Sequence, residues 1–275
     1  MKQLLGVHIK PELDDMKKTI ESLGNDINTV QFFVNASYDK EIVQKAGKVF
    51  HNSNITGYIH SSYTINCAKE WDESSWWINY LIFEIKTAYL LRAKGIVLHT
   101  GTSVGLNEKI AINNLYTCMR YIHSKTKKES SVKIILETPA GKGTEILTNY
   151  DEFINFMGKF DDDRFGMCLD TCHVFSAGYD IRKISVFNNM LKKCIDKLGS
   201  NKLALIHLND SKKDLAERKD SHESLGYGFI GRESFNHIIK TITDLKIPII
   251  LETPSIYHDN EIKWIKDICH QSCDK

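Results

Sequence analysis

Eight short apolar runs punctuate this chain, at 4–9, 29–34, 57–60, 96–99, 133–137, 166–170, 203–208 and 247–252, and six of them carry a His, Asp or Glu straight after an apolar pair. The stretches between them are amphipathic at helical period. Trp76, Trp77, Tyr80, Leu81, Ile85, Ala88 and Leu91 form one stripe, and Ile184, Phe187, Met190, Leu191, Cys194 and Leu198 another. Gly24, Gly95 and Gly199 follow such stripes, as helix stops do. Near-continuous apolar strands alternating with helices imply a parallel sheet covered by helices. Eight such units predict an α/β fold, a (β/α)8 TIM barrel forming one domain over residues 1–275. The structural alternative is an open doubly wound sheet, but no Gly-rich phosphate fingerprint follows the first run. At 275 residues and 42% hydrophobic, with no linker-like or low-complexity tract, one core suffices.

A formal net charge of +1 excludes a protein that holds nucleic acid by bulk charge; any such contact needs a local cleft or bound cations. Residues 1–9 read as a first strand rather than a signal peptide, and no apolar stretch approaches the ~20 residues that span a bilayer. The seven cysteines are an odd number, and the spacings of Cys168 with Cys172 and of Cys269 with Cys273 do not suit a zinc knuckle. Free thiols in a reducing, intracellular compartment are expected.

A barrel places its chemistry at the carboxyl ends of the strands. Here those ends read His60, His99, Glu137, Asp170, His207 and Glu252. One such residue is more often a capping or solvated group. Six converging on one mouth would repel or be desolvated unless a cation joined them. His173 follows three residues after Asp170, and Asp220 and His222 flank Ser221 in a polar loop. Five His and four carboxylates are too many for one ion and fit two or three. Mixed imidazole and carboxylate donors suit zinc, and also manganese or iron, but not calcium. Three divalent ions over four carboxylates leave a local charge of about +2, which the chain as a whole lacks. Such a cluster suits in-line phosphoryl chemistry.

These residues sit in longer motifs. CLDTCHVFSAGYD at 168–180 resembles the central signature of the endonuclease IV family of abasic-site endonucleases. So do HLNDSK at 207–212, DSH at 220–222 followed by SLG at 224–226, LETPAGKG at 136–143 and LETP at 251–254. The match runs in order from about His60 to Pro254. The resemblance implies a three-zinc site, with His60, His99 and Glu137 on the first ion. Glu137 would bridge to a second ion held by Asp170, His207 and Glu252, and His173, Asp220 and His222 would hold the third. It implies that Glu137, Asp170 and Glu252 organise a hydroxide that attacks the phosphate 5′ to an abasic sugar in duplex DNA, leaving a 3′-hydroxyl and a 5′-deoxyribose phosphate. A monomer is the default for such enzymes.

The departures lie elsewhere. His8-Ile-Lys-Pro-Glu12 stands where many members have a Ser and a Gly pair, and Gly226-Tyr-Gly228 where many have Gly-Glu-Gly. Tyr63 resembles a DNA-inserting residue; Thr64 replaces a bulkier wedge, and Tyr38 stands near the usual place of an inserting Arg. These three are the candidate DNA contacts, with Lys142 and Lys212 facing phosphate or solvent, and His8 either lining the site or hydrogen-bonded in the core. Two other readings compete: a metal-dependent sugar isomerase on the same barrel, and a non-catalytic DNA-binding relative.

Overall fold

A computed structural model describes residues 3–35 and 39–273, the side chains of 271–273 excepted. Eight parallel strands close into one barrel: β1 (Leu5–His8), β2 (Thr29–Phe33), β3 (Thr56–His60), β4 (Gly95–His99), β5 (Lys133–Glu137), β6 (Phe165–Asp170), β7 (Leu203–His207) and β8 (Ile249–Leu251). Each strand pairs with its sequence neighbour, and β1 closes on β8 through Leu5↔Ile249, Gly6↔Ile250 and Val7↔Leu251. The close approach of β1 to β2 needs Gly6, because a Cβ there would stand 1.7 Å from the Thr29 carbonyl oxygen. The expected barrel is therefore the observed one.

Alternation along the strands sorts side chains between two cores. Outward residues such as Ile59, Ile96, Leu98, Ile134, Leu136 and Ile206 are fully buried against the helices. Inward residues Tyr58, Val97, Ile135, Cys168, Leu205 and Ile250 fill the lumen as a separate layer. Two positions further along those same six strands come His60, His99, Glu137, Asp170, His207 and Glu252. The lumen layer is thus a dry plug beneath the candidate ligands. Burying each large apolar side chain contributes roughly 1.5–3 kcal/mol, so the plug also holds the strand ends in register.

Several helices start where the sequence supplies a cap. The side chain of Asp15 accepts from a backbone N–H at the start of α1 (Met16–Ser22), and Asp39 does so for α2 (Lys40–Asn52). Asn107 caps α4 (Glu108–Lys125) in the same way, and Asn149 caps α5 (Tyr150–Met157). Gly24 and Gly199 take positive φ after their helices, as expected. Gly95 does not act as a stop. Arg92 takes the left-handed turn after α3 (Trp76–Leu90), and Gly95 opens β4, where Ile135 would crowd a Cβ at 2.6 Å. Trp76 also leaves its stripe: it begins α3 and stands 57% exposed. No helix among the described residues is long and apolar enough to cross a membrane.

Candidate metal centre

Six donors sit at the carboxyl ends of six strands, and their distances divide them around one shared carboxylate. Glu137 Oε2 lies 3.3 Å from His60 Nε2 and 3.2 Å from His99 Nε2. Its other oxygen lies 2.7 Å from His207 Nδ1. That same Nδ1 is 3.3 Å from Glu252 Oε2 and 3.8 Å from Asp170 Oδ2. Glu137 therefore faces two adjoining groups, His60–His99 on one side and Asp170–His207–Glu252 on the other, each compact enough to hold an ion.

A third group stands beside them. Asp170 caps the short helix α6 (Thr171–Ser176), its Oδ1 accepting from the His173 backbone N–H at 2.9 Å, which turns His173 into the mouth. His173 Nε2 and His222 Nε2 both lie 3.2 Å from Asp220 Oδ1. Both nitrogens are buried, and neither has a partner in hydrogen-bond geometry. Two orphaned imidazole nitrogens aimed at one carboxylate oxygen are a poor polar contact and a good cation site. The loop that brings Asp220 and His222 there is organised by Asp210, whose carboxylate accepts from the backbone N–H groups of Ser211, Gly226, Gly228, Ile230 and Gly231.

Electrostatics point the same way. Burial would raise Glu137, yet His207 and His99 hold its carboxyl well below the usual range. Burial would push His173 and His222 down; Asp220 and Asp170 beside them hold both up, His222 at about 9. Burial pushes His99 down to about 4. Protons on imidazoles such as His173 and His222 balance the clustered carboxylates, a role that a divalent ion held there would take over. Cys168 and Cys172 also approach these groups, but burial pushes both thiols up to about 12, so neither offers a thiolate at neutral pH. Both are free and buried.

Ring orientation is fixed from outside the groups. His60 Nδ1 donates to the Ser61 carbonyl at 2.8 Å, and His173 Nδ1 to the Thr138 carbonyl at 2.9 Å. The Asn209 amide nitrogen donates to Asp170 Oδ2 at 2.7 Å and Glu252 Oε2 at 3.3 Å, while its oxygen accepts from the Glu252 backbone N–H. Gln31 touches His207, Glu252 and His8. Sequence reasoning assigned no role to Asn209 or Gln31. The one available signal was an amide at an inward position of an otherwise apolar strand, Val30-Gln31-Phe32-Phe33.

Around the mouth, Tyr63 stands 67% exposed, its ring 5.3 Å from His60 and 5.4 Å from His99. Thr64 is exposed and shares a 2.8 Å hydrogen bond with Ser62. Tyr38 lies outside the described residues. Lys142 and Lys212 are exposed. His8 lines the site rather than the core, 3.6 Å from Glu252 and packed on Phe33. A groove of about 870 Å³ opens against Glu252 and His222, bordered by His8, Phe33, Tyr63, Lys10 and Lys18.

Residues 19–268 match the family described as xylose isomerase-like TIM barrel. The chain is 42% identical over 211 residues to the probable endonuclease 4 of Mycoplasma mobile, covering 75% of this chain and 73% of that protein. Among solved structures it superposes on endonuclease IV from Thermus thermophilus with a TM-score of 0.77 and 21% identity, over 98% of this chain and 99% of that one. A D-tagatose 3-epimerase-like protein superposes almost as well, at 0.76 with 13% identity over 98% and 99%. The shared barrel alone does not choose between nuclease and epimerase chemistry.

Proposed function

The chain belongs to the endonuclease IV family, and on that premise we propose that it hydrolyses the phosphodiester 5′ to abasic sites in duplex DNA with three zinc ions. It is a metal-dependent hydrolase of the abasic-site endonuclease type. The observation that carries the finer reading is the arrangement of nine donors in three adjoining groups, two of them sharing Glu137. An isomerase that orients one sugar has no need of the third group. His60 and His99 with Glu137 would hold the first ion, Asp170, His207 and Glu252 with Glu137 the second, and His173, Asp220 and His222 the third.

Bound ions supply Lewis acidity and a water that ionises near neutral pH. The chain's own residues do the rest. Glu137 sets the two inner groups a carboxylate apart, so that attacking and leaving oxygens can be served together. Asp170 ties the inner pair to the outer group, because one of its oxygens caps the helix that presents His173 and the other faces His207 and His222. Glu252 borders both the second group and the open groove, where a phosphate can reach it. Tyr63 rises beside the first group, placed to fill space left by a missing base. The products would be a 3′-hydroxyl and a 5′-deoxyribose phosphate.

A duplex with one synthetic abasic site tests this. Zinc-loaded protein should nick it once, 5′ to the lesion, and leave an end that a polymerase extends. Glu252→Gln and Asp170→Asn should abolish cleavage and keep DNA binding within a few-fold. Elemental analysis of protein purified without chelator should find two to three transition-metal ions per chain. Turnover of a ketose without nicking would overturn the proposal in favour of a sugar isomerase.

A further inference from the structure

Two barrel strands, β1 and β2, end without any of the nine donors, yet they reach the cluster through Gln31. This residue is fully buried in β2. The pairings Val7↔Leu251 and His8↔Gln31 set it level with His8 and, beyond it, with Glu252. Its amide nitrogen lies 2.7 Å from Glu252 Oε1 and 3.2 Å from His8 Nδ1; its oxygen lies 2.9 Å from His207 Nε2.

These contacts form a chain with one solution. A carboxylate only accepts, so the amide nitrogen must face Glu252. The amide oxygen then faces His207 Nε2 and accepts its proton. With Nε2 protonated, the nitrogen that His207 offers to the centre is Nδ1, which points at Glu137 Oε1 at 2.7 Å and Glu252 Oε2 at 3.3 Å. His60 and His173 show the reverse: backbone carbonyls take the Nδ1 proton and Nε2 faces the centre. Backbone acceptors survive substitution of any side chain. The acceptor for His207 does not.

We propose that Gln31 is the positioning residue of the second group: it fixes which nitrogen His207 presents, and its NH2 turns Glu252 so that Oε2 faces the ion. This rests on the metal reading given above. Gln31 is a positioning residue and not a catalytic one, since it faces the ligands from outside the group. Replacement by an apolar side chain of similar length leaves the His207 ring free to present either nitrogen and removes the shorter of the two amide hydrogen bonds to Glu252, leaving the longer one from Asn209.

The experiment is imidazole 15N correlation spectroscopy on zinc-loaded parent protein, with zinc stoichiometry and chelator competition on the parent and on Gln31→Met. In the parent, His207 should be protonated on Nε2 and bound through Nδ1, opposite to His60 and His173. Gln31→Met should keep two ions at parental affinity and bind the remaining one about 10- to 100-fold more weakly, with a changed His207 pattern. Gln31→Glu keeps the acceptor and should retain the Nε2 proton while losing the hold on Glu252. A loaded parent with His207 bound through Nε2 would overturn the assignment whether or not any variant folds. So would a folded Gln31→Met that binds every ion within two-fold of the parent. A parent that takes up no zinc would overturn the metal reading itself, and this inference with it.

Discussion

The floor of the barrel mouth and its rim are built differently. On the floor, six donors sit at strand ends, seated on a dry layer of lumen side chains and oriented by further hydrogen bonds. On the rim, Tyr63 and Tyr227 stand 67% and 76% exposed on loops and Ile256 80% exposed in a short 3-10 turn, and the two tyrosines are held by ring contacts rather than by a hydrogen-bonded ladder. The β-ladder dictates where the floor's donors go, while loop chemistry dictates the rim. Bond cleavage and substrate grip should therefore respond separately to substitution.

The strongest way to break that separation is Glu137→Gln. It strips the carboxylate shared by two groups, so single-turnover cleavage of an abasic duplex should fall by at least about 10³-fold, given the several kcal/mol a metal centre supplies. DNA retention in a gel-shift assay should stay within a few-fold. A parallel loss of DNA binding would mean that the floor also grips substrate. Next comes Gly228→Ala, a rim change that reaches the third group. Its Cβ would meet the Ser211 carbonyl at 2.3 Å and Asp210 at 2.6 Å, so the loop bearing Asp220 and His222 must shift. Metal analysis should find about one ion fewer, and stability should fall by about 1–3 kcal/mol. Unchanged metal content would show that the third group tolerates movement of its loop.

Tyr63→Ala should act on the rim alone. Loss of one stacking partner predicts roughly a 10-fold rise in KM with metal content unchanged, and a loss of bound metal would contradict it. The smallest effect on cleavage belongs to Glu84, which supports the Tyr63 loop from beneath by accepting from the Ser62 backbone N–H at 3.0 Å. Its second oxygen is buried without a partner, and burial pushes its carboxyl from 4.5 up to about 8. The folded state thus keeps a proton that the unfolded chain gives up. The stability tied to that proton is complete below pH 4.5 and is lost as pH rises through about 8. The loss is on the order of 1.4 kcal/mol per pH unit within the window. Glu84→Gln cannot ionise, so its melting temperature should gain on the parent between pH 5 and pH 8 at constant cleavage rate. Parallel melting curves across that range would refute a protonated Glu84.

How much of this was legible follows the same division. His60, His99, Glu137, Asp170, His207 and Glu252 could be read because a strand repeats every two residues, and an ionisable group just past an apolar pair breaks that repeat at its end. Asp220 and His222 were legible through their spacing. Gln31 and Asn209 were not, because a neutral amide becomes informative only when register shows what it faces. Gly95 misled because Arg92 accepted the left-handed turn that a glycine usually takes. Trp76 misled because it lies at the first turn of its helix, beyond the face that the barrel covers.

Gln31 and Glu252 are 221 positions apart, and they meet only across the seam where β1 closes on β8. A ribosome that has released the first strands has not yet made their partner. Contacts of such long span form late. The second group therefore stays incomplete on every nascent chain that stops short of Glu252, and no unfinished copy carries its full set of donors.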